Sequence, residues 1–324
     1  NAYTGGDPLG SSAGSGVGGS MAFAAGTFGS ETSGSILAPS SINGLVGVKP
    51  TRGLVSRTGV ILLAEGFDTA GPMTRNVADA AALLTVVAGP DASDPATATA
   101  RRVDYRRVVA GARSLKGVRL GWSPSYADGL GTAQARLFRA ALATLTGLGA
   151  TLVETDDLEN SKNAGVAELG LIPNDFKANL DHYLTTAVPT PRSGVKSLVD
   201  IVLFNQDHPD KVKYGQDLLI ASAAQPGSAE AASASSLGLR TAMGAVIDQV
   251  LTSNDLDAFV SSGYDNANLG ASAGYPSVTV PSGLVRDTTT LGVTFLGTAW
   301  SEATLLRVAG AYEAGSRLRV PPTV

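Results

Sequence analysis

The sequence contains no cysteine, which excludes disulfide bonds, thiolate metal sites and a cysteine nucleophile among its 324 residues. Histidine is nearly as scarce, because His182 and His208 are the only two. So few imidazoles leave little room for a histidine-based metal site. Basic residues number 24 against 28 acidic ones, and no basic stripe with interleaved aromatic residues occurs. We therefore expect neither a metal centre nor a nucleic-acid partner.

Long apolar stretches are also missing. The longest ones, such as residues 80–88, are far shorter than the roughly 20 residues that a membrane-spanning helix needs. Hydrophobic residues make up 44% of the chain and charged residues 16%, a composition typical of a folded globular protein. We expect a soluble protein with no membrane partner, and its compartment, cytoplasmic or secreted, stays open.

Alternating strand and helix patterns predict an α/β fold. Residues 117–122 and 150–154 have the pattern of strands, and the helical pattern of residues 132–148 lies between them. Strands separated by single helices favour parallel pairing. Residues from about 163 to 252 are predicted to be largely helical and to form a cap over the sheet. Because no domain-sized linker interrupts the chain, we predict a single domain over residues 1–324, with a central mixed, mostly parallel sheet covered by helices on both faces.

Two short glycine motifs near the N-terminus do not meet their own structural requirements. The sequence GSGVGG at 14–19 matches G-x-G-x-x-G, but no strand precedes it and no acidic residue follows at the right distance, so we reject a dinucleotide site. The sequence GSSAG at 10–14 matches G-x-S-x-G, which requires a preceding strand and a later histidine. His182, in a predicted surface helix, and His208, before Pro209, are weak candidates for that histidine. This second motif stays a minor alternative.

A longer set of motifs follows a fixed order along the chain. They are GSSAGSG (10–16), GSETSGSI (29–36), GLVGVKPT (44–51), GLVSR (53–57), DTAGPMTR (68–75), GYPSVTVP (274–281) and FLGTAWSEATLL (295–306). In this order they resemble the amidase-signature family, and the bacterial peptide amidases within it are the nearest in appearance. The resemblance is strong at both ends of the chain and weak in the helical middle.

The resemblance implies a catalytic Ser-cisSer-Lys triad. Ser35 would be the nucleophile, and Ser11, after a cis peptide bond, would be the bridging serine. A serine hydroxyl needs a neighbouring base to become an effective nucleophile, and Ser11 can accept one proton while it donates another. Thr32, Ser33 and Gly34, together with Ser35, would present backbone N–H groups to the substrate oxygen. The family needs no metal or organic cofactor.

Two residues depart from the commonest family pattern. Ser33 stands where glycine is frequent, and Glu31 stands where aspartate is frequent. Both variants are similar to peptide-amidase usage.

The lysine that the resemblance requires is not found in the motifs of this chain. In the family it lies well upstream of the bridging serine, in a segment that would precede Asn1. Lys49 matches the Lys-Pro-Thr stretch of the family, and we interpret its role as structural. We therefore expect an N-terminal piece bearing the catalytic lysine to be the partner of this chain, whether it is a separate chain, cleaved off or absent.

These observations predict an amidase that hydrolyses a peptide C-terminal amide or a small amide through an acyl-enzyme on Ser35. One alternative is the glutaminase subunit of a tRNA-dependent amidotransferase. A second alternative, from a different functional class, is a non-catalytic amidase-like binding protein.

Overall fold

The computed structural model describes residues 1–125, 130–158, 170–186, 194–285 and 289–323. The strands are β1 (Gly26–Glu31), β2 (Val46–Lys49), β3 (Thr69–Thr74), β4 (Arg119–Trp122), β5 (Thr151–Glu154), β6 (Ala258–Ser262), β7 (Ser277–Val285) and β8 (Thr289–Leu296). They form one sheet of eight strands in the order β1-β3-β2-β7-β8-β6-β4-β5.

The described ranges contain eleven α-helices. They are α1 (Ala13–Ser20), α2 (Leu37–Ile42), α3 (Val77–Val87), α4 (Tyr105–Val109), α5 (Thr132–Gly147), α6 (Ile172–Thr186), α7 (Leu198–Asp207), α8 (Asp217–Ala223), α9 (Ala229–Ser253), α10 (Ala267–Ala273) and α11 (Glu302–Ser316). Helix α3 shows why these segments begin where they do. The side chain of Asn76 accepts a hydrogen bond from the Asp79 N–H at 2.7 Å, which satisfies a donor in the first turn that has no partner within the helix.

The sheet is mixed, as predicted, but the expectation that it is mostly parallel was wrong. Among the described strands, only the β4–β5 and β4–β6 pairs are parallel, and the other five neighbouring pairs are antiparallel. The strand–helix–strand pattern at 117–154 correctly predicted the β4–β5 pair. Strands β7 and β8 are separated by only residues 286–288, which is too short for the crossover that parallel pairing requires.

Helices cover both faces of the sheet, as the sequence predicted. Val278 and Val293 point to one face, where they join the main apolar core with Leu305 and Leu306 of α11. On the opposite face, Ser41 of α2 accepts a hydrogen bond from the Gly292 N–H at 2.8 Å. Because side chains alternate along a strand, α2 and α11 lie on opposite sides of the same two strands.

Helices α6, α7 and α8 have a small core of their own. Leu180, Leu198 and Val202 form its buried centre, separate from the main core. The predicted helical segment 163–252 includes residues 163–169 and 187–193, which lie outside the described residues. The boundary of a cap therefore stays a prediction.

Candidate active site

Two loops bring the serine motifs together. Ser11 lies just before α1, and Ser35 lies between β1 and α2. The Ser12 N–H donates a hydrogen bond to the Ser35 carbonyl at 3.2 Å, and the Ser12 hydroxyl donates to the Ser30 carbonyl at 3.0 Å. The Gly10–Ser11 peptide bond is cis, as the sequence resemblance implied. Contacts through Ser12 thus hold the two loops against each other.

The hydroxyl groups of Ser11 and Ser35 are open to reaction. Ser11 is exposed and Ser35 is half-buried. Neither hydroxyl forms a hydrogen bond with another group in the part of the chain that the structure describes, so the two are not bonded to each other. The loops are joined through their backbones, and both oxygens are available to a substrate or to a further proton carrier.

In the segment 32–35, which ends at the candidate nucleophile, buried and half-buried residues alternate. Thr32 and Gly34 are buried, whereas Ser33 and Ser35 are half-buried. The backbone N–H groups of Ser33 and Ser35 donate to no group among the described residues, while the Gly34 N–H interacts with the carboxylate of Glu31. Gly34 has a φ of +76°, a conformation that glycine adopts without steric cost. Ser33 and Ser35 therefore offer two N–H donors of the kind that stabilise an oxyanion.

A buried carboxylate supports the turn that carries Ser35. Glu31 Oε2 accepts hydrogen bonds from the N–H groups of Ile36 at 2.8 Å and Leu37 at 2.9 Å. Burial raises the pKa of Glu31, and the positive charge of Lys49 and the backbone donors oppose that rise. Lys49 is itself fully buried, and its ammonium donates to the Pro50 carbonyl at 3.4 Å. This location fits the structural role that the sequence suggested for Lys49.

A second buried carboxylate, that of Asp68, joins this segment to a neighbouring loop. Asp68 Oδ1 accepts a hydrogen bond from the Thr32 hydroxyl. Its Oδ2 accepts from the N–H groups of Leu63 at 2.6 Å and Ala64 at 3.0 Å. The motif DTAGPMTR contained Asp68, but no local pattern indicated that its partner would be Thr32.

The sequence analysis missed a third contact, between Ser33 and Asn268. The Ser33 hydroxyl donates to Asn268 Oδ1 at 2.7 Å, although 235 residues separate the two in the chain. Asn268 lies at the start of α10 and is half-buried. No local pattern could have indicated the pair, because only the folded sheet brings α10 next to the Ser33 loop.

The two histidines do not support the G-x-S-x-G alternative. His208 stacks on Phe204 with ring centroids 4.1 Å apart, and its Nδ1 is hydrogen-bonded to the Phe204 carbonyl at 2.8 Å. His182 lies in a cleft beside Tyr183 and Arg57. Ser12, the serine of that motif, is hydrogen-bonded to Ser30, and neither histidine contacts it.

Three described lysines other than Lys49 have partners outside the serine loops. Lys177 pairs with Asp181 at 3.3 Å, and Lys211 pairs with Asp210 at 2.7 Å. Lys213 lies over the ring of Tyr214, 5.0 Å from its centroid. Lys162 lies outside the described residues. No lysine in the described ranges is hydrogen-bonded to the Ser11 hydroxyl.

The described ranges show neither a metal cluster nor a membrane-spanning helix. No three His, Cys, Asp or Glu side chains within these ranges come together in a way that could hold a metal ion. The helices that the structure describes include none with both the length and the apolar character needed to cross a membrane.

Comparison with known proteins decides the family. A family model described as Amidase matches residues 4–230. The chain belongs to the amidase family. The resemblance that the ordered motifs carry to the amidase-signature proteins is thereby confirmed, and so is the α/β fold that it implied.

Three relatives define the similarity. The peptide amidase of Stenotrophomonas maltophilia superposes with a TM-score of 0.87 at 37% identity, covering 100% of this chain and 69% of that one. A "Probable amidase" of Arabidopsis thaliana is 32% identical over 98% of this chain and 62% of its own length. A glutamyl-tRNA(Gln) amidotransferase subunit of Myxococcus xanthus is 32% identical over 94% of this chain and 67% of its own length. The chain thus spans 62 to 69% of the length of these three relatives.

Proposed function

We propose that this protein hydrolyses carboxylic amides through an acyl-enzyme on Ser35. The observation that carries the proposal is the meeting of two serine loops, joined by the Ser12 N–H to Ser35 carbonyl bond, beside two backbone N–H groups without a partner in the described chain. A nucleophile next to donors that can stabilise an oxyanion is the arrangement that acyl transfer needs.

In the proposed reaction, the Ser35 oxygen attacks the amide carbon. The two hydroxyls, which are not hydrogen-bonded to each other in the structure, come into contact in this step: the Ser35 proton passes to the Ser11 oxygen, while the Ser11 proton passes to a base. The N–H groups of Ser33 and Ser35 stabilise the negative charge on the tetrahedral intermediate, an effect worth about 3 to 4 kcal/mol per donor in a serine protease. A proton then passes from the base through Ser11 to the amide nitrogen. The C–N bond breaks, and ammonia or an amine leaves. Water hydrolyses the ester on Ser35 by the same route.

The base in this scheme is a neutral lysine that polypeptide beyond these 324 residues supplies. Two observations support this. Ser11 is exposed, so its hydroxyl is accessible to an added segment, and Lys49 is enclosed near Glu31 on the buried side of the turn. Burial beneath an added segment would favour the uncharged amine, because desolvation penalises the ammonium form.

A peptide bearing a C-terminal amide is the substrate class that we propose first. The 37% identity to a peptide amidase over the whole chain supports it. The glutaminase function of an amidotransferase is the second candidate, because the protein from Myxococcus xanthus is 32% identical. Release of ammonia from free glutamine, compared with release from an N-acylated amino acid amide, separates the two.

We further propose that the described helices of the predicted cap at about 163–252 cover the substrate cleft within a single domain. Helix α6 faces the loop at 57–62 across a cleft of about 340 Å³. The same loop continues to Leu63 and Ala64, which Asp68 holds together with Thr32. Asp68 therefore helps to position both the loop beside the cleft and the segment that carries Ser35.

The test is covalent labelling of the protein at its natural length with a fluorophosphonate, followed by peptide mass mapping. We expect one adduct, on Ser35, which is lost in Ser35→Ala. Hydrolysis of an N-acetylated amino acid amide should disappear in the same variant. A wild-type protein that folds, yet is neither labelled nor active, would instead support a non-catalytic binding protein.

A further inference from the structure

Asn268 has unused hydrogen-bonding capacity beside the nucleophile. Its Oδ1 accepts from the Ser33 hydroxyl at 2.7 Å, which fixes the orientation of the amide. Its NH₂ group, which can donate two hydrogen bonds, donates to no group in the described chain. The side chain is only half-buried, so the NH₂ group is accessible to a ligand.

Asn268 also lies next to the segment that carries Ser35. Ser33 and Ser35 are half-buried, and the residues flanking them, Thr32 and Gly34, are buried. A Cβ placed on Gly34 would lie 3.5 Å from the Cβ of Ala267, so the start of α10 packs directly against this turn. The Asn268 amide is thus held at the edge of the surface where Ser35 would meet a carbonyl carbon.

We propose that Asn268 is a specificity-determining residue. Its NH₂ group donates a hydrogen bond to the carbonyl oxygen that precedes the scissile carbonyl by one residue, which is the carbonyl of the N-acyl group. The proposal rests on the proposed hydrolysis at Ser35 and names its substrate class: amides of N-acylated amino acids, including peptide amides. Simple carboxylic amides lack this second carbonyl and make no such contact.

The dimensions agree with this role. The Cα atoms of Ser33 and Ser35 are at most about 7 Å apart, and one peptide residue advances about 3.3 to 3.6 Å. A substrate with its scissile carbonyl at Ser35 therefore places its preceding carbonyl about one residue away, within reach of a side chain bonded to Ser33. Ser33 supplies the hydroxyl that orients Asn268.

The test compares N-acetylphenylalaninamide with 3-phenylpropanamide, which has the same aromatic side chain and lacks the acylamino group. The ratio of their kcat/KM values measures the preference for an N-acylated substrate. We expect Asn268→Ala and Asn268→Asp to lower this ratio about tenfold or more, as loss of one hydrogen bond to a substrate implies. Asn268→Asp keeps an oxygen that accepts from Ser33, and it replaces the NH₂ donor by a charged acceptor oxygen that a substrate carbonyl cannot bond to.

The outcomes separate this proposal from its alternatives. If Asn268→Asp keeps the wild-type ratio while Asn268→Ala lowers both rates equally, Asn268 only positions Ser33 and the proposal is wrong. Asn254→Ala, which changes a half-buried asparagine bonded to Asp157, is the matched control and should keep the ratio. Fluorophosphonate labelling of Ser35 in each variant shows that the nucleophile is intact. Wild-type protein that neither labels nor hydrolyses either amide contradicts the proposed function itself.

Discussion

The hydroxyl of Thr32 donates a hydrogen bond to the buried carboxylate of Asp68. Through this bond the segment that precedes Ser35 is tied to the loop at Leu63 and Ala64, whose N–H groups bond to the other oxygen of the same carboxylate. Burial raises the pKa of Asp68, and the bonds from Thr32, Ala64 and Leu63 oppose the rise. One side chain therefore sets the position of two loops.

Replacement of Asp68 should loosen both loops. Asp68→Asn places an NH₂ group against donors that need an acceptor, and leaving buried donors unpaired costs about 1 to 3 kcal/mol. We expect urea unfolding to show a loss of that size, together with slower labelling of Ser35. Thr32→Val, which removes one bond only, is the control and should lose less. Equal stability of Asp68→Asn and the wild type would show that the carboxylate does not hold the loops.

The charge of Lys49 should matter for stability rather than for proton transfer. Lys49→Met leaves the buried Glu31 carboxylate without the ammonium that opposes its desolvation, and such changes cost about 3 to 5 kcal/mol. Because the pKa of Glu31 would rise further, the variant should regain stability as the pH falls and the carboxyl takes up a proton. Adding Glu31→Gln should restore part of the lost stability at neutral pH. No recovery in the double variant would exclude a direct charge interaction.

The raised pKa of Asp175 predicts a second dependence of stability on pH. It is almost fully buried, and burial, helped by the charges of Glu65 and Asp68, raises its pKa to about 6 despite a hydrogen bond from Ser236. The folded chain therefore binds this proton more tightly than the unfolded chain does. The resulting stabilisation is complete below about pH 4 and is lost as the pH rises to about 6.

Asp175→Asn removes this titration. Relative to the wild type, the variant should be more stable at pH 7.5 than at pH 4.5, by a difference of about 2 kcal/mol. Urea unfolding of both proteins at the two pH values measures it. Asp200→Asn is the control in the first turn of α7, where hydrogen bonds lower the pKa of the carboxyl. The stabilisation that follows from a lowered pKa is lost only below the usual pKa of an aspartate, so the relative stability of this variant should hardly differ between the two pH values. A relative stability of Asp175→Asn that does not vary with pH would contradict the prediction.

Local patterns in the sequence predicted part of the fold well. The predicted helix at 132–148 is α5, and the predicted strand at 150–154 is β5 with one residue fewer. Both follow from side-chain periodicity, which depends only on neighbouring residues. The direction of strand pairing depends on which distant strands meet. The antiparallel pairs of β2 with β7 and of β6 with β8 therefore could not be predicted from local sequence patterns.

The same limit applies to the site. The ordered motifs identified Ser11 and Ser35 as candidates, and the structure joins their loops through Ser12. The supporting contacts are long-range, since Thr32 meets Asp68 and Ser33 meets Asn268 only after the sheet has formed. Sequence spacing carries no information about such pairs when each member is a common polar residue.

Replacement of Ser11 should lower the catalytic rate and leave the stability of the fold almost unchanged. It is exposed and its hydroxyl makes no hydrogen bond in the described chain, so Ser11→Ala should change the free energy of unfolding by less than about 0.5 kcal/mol. As a proton relay, however, its loss should lower kcat about 10² to 10⁴-fold with little change in KM. Ser12→Ala supplies the opposite pattern, because the Ser12 hydroxyl bonds to Ser30: it should lose about 1 kcal/mol of stability and still be labelled on Ser35. An adduct on Ser12 in the wild type would instead revive the G-x-S-x-G interpretation, since that serine would then be the nucleophile.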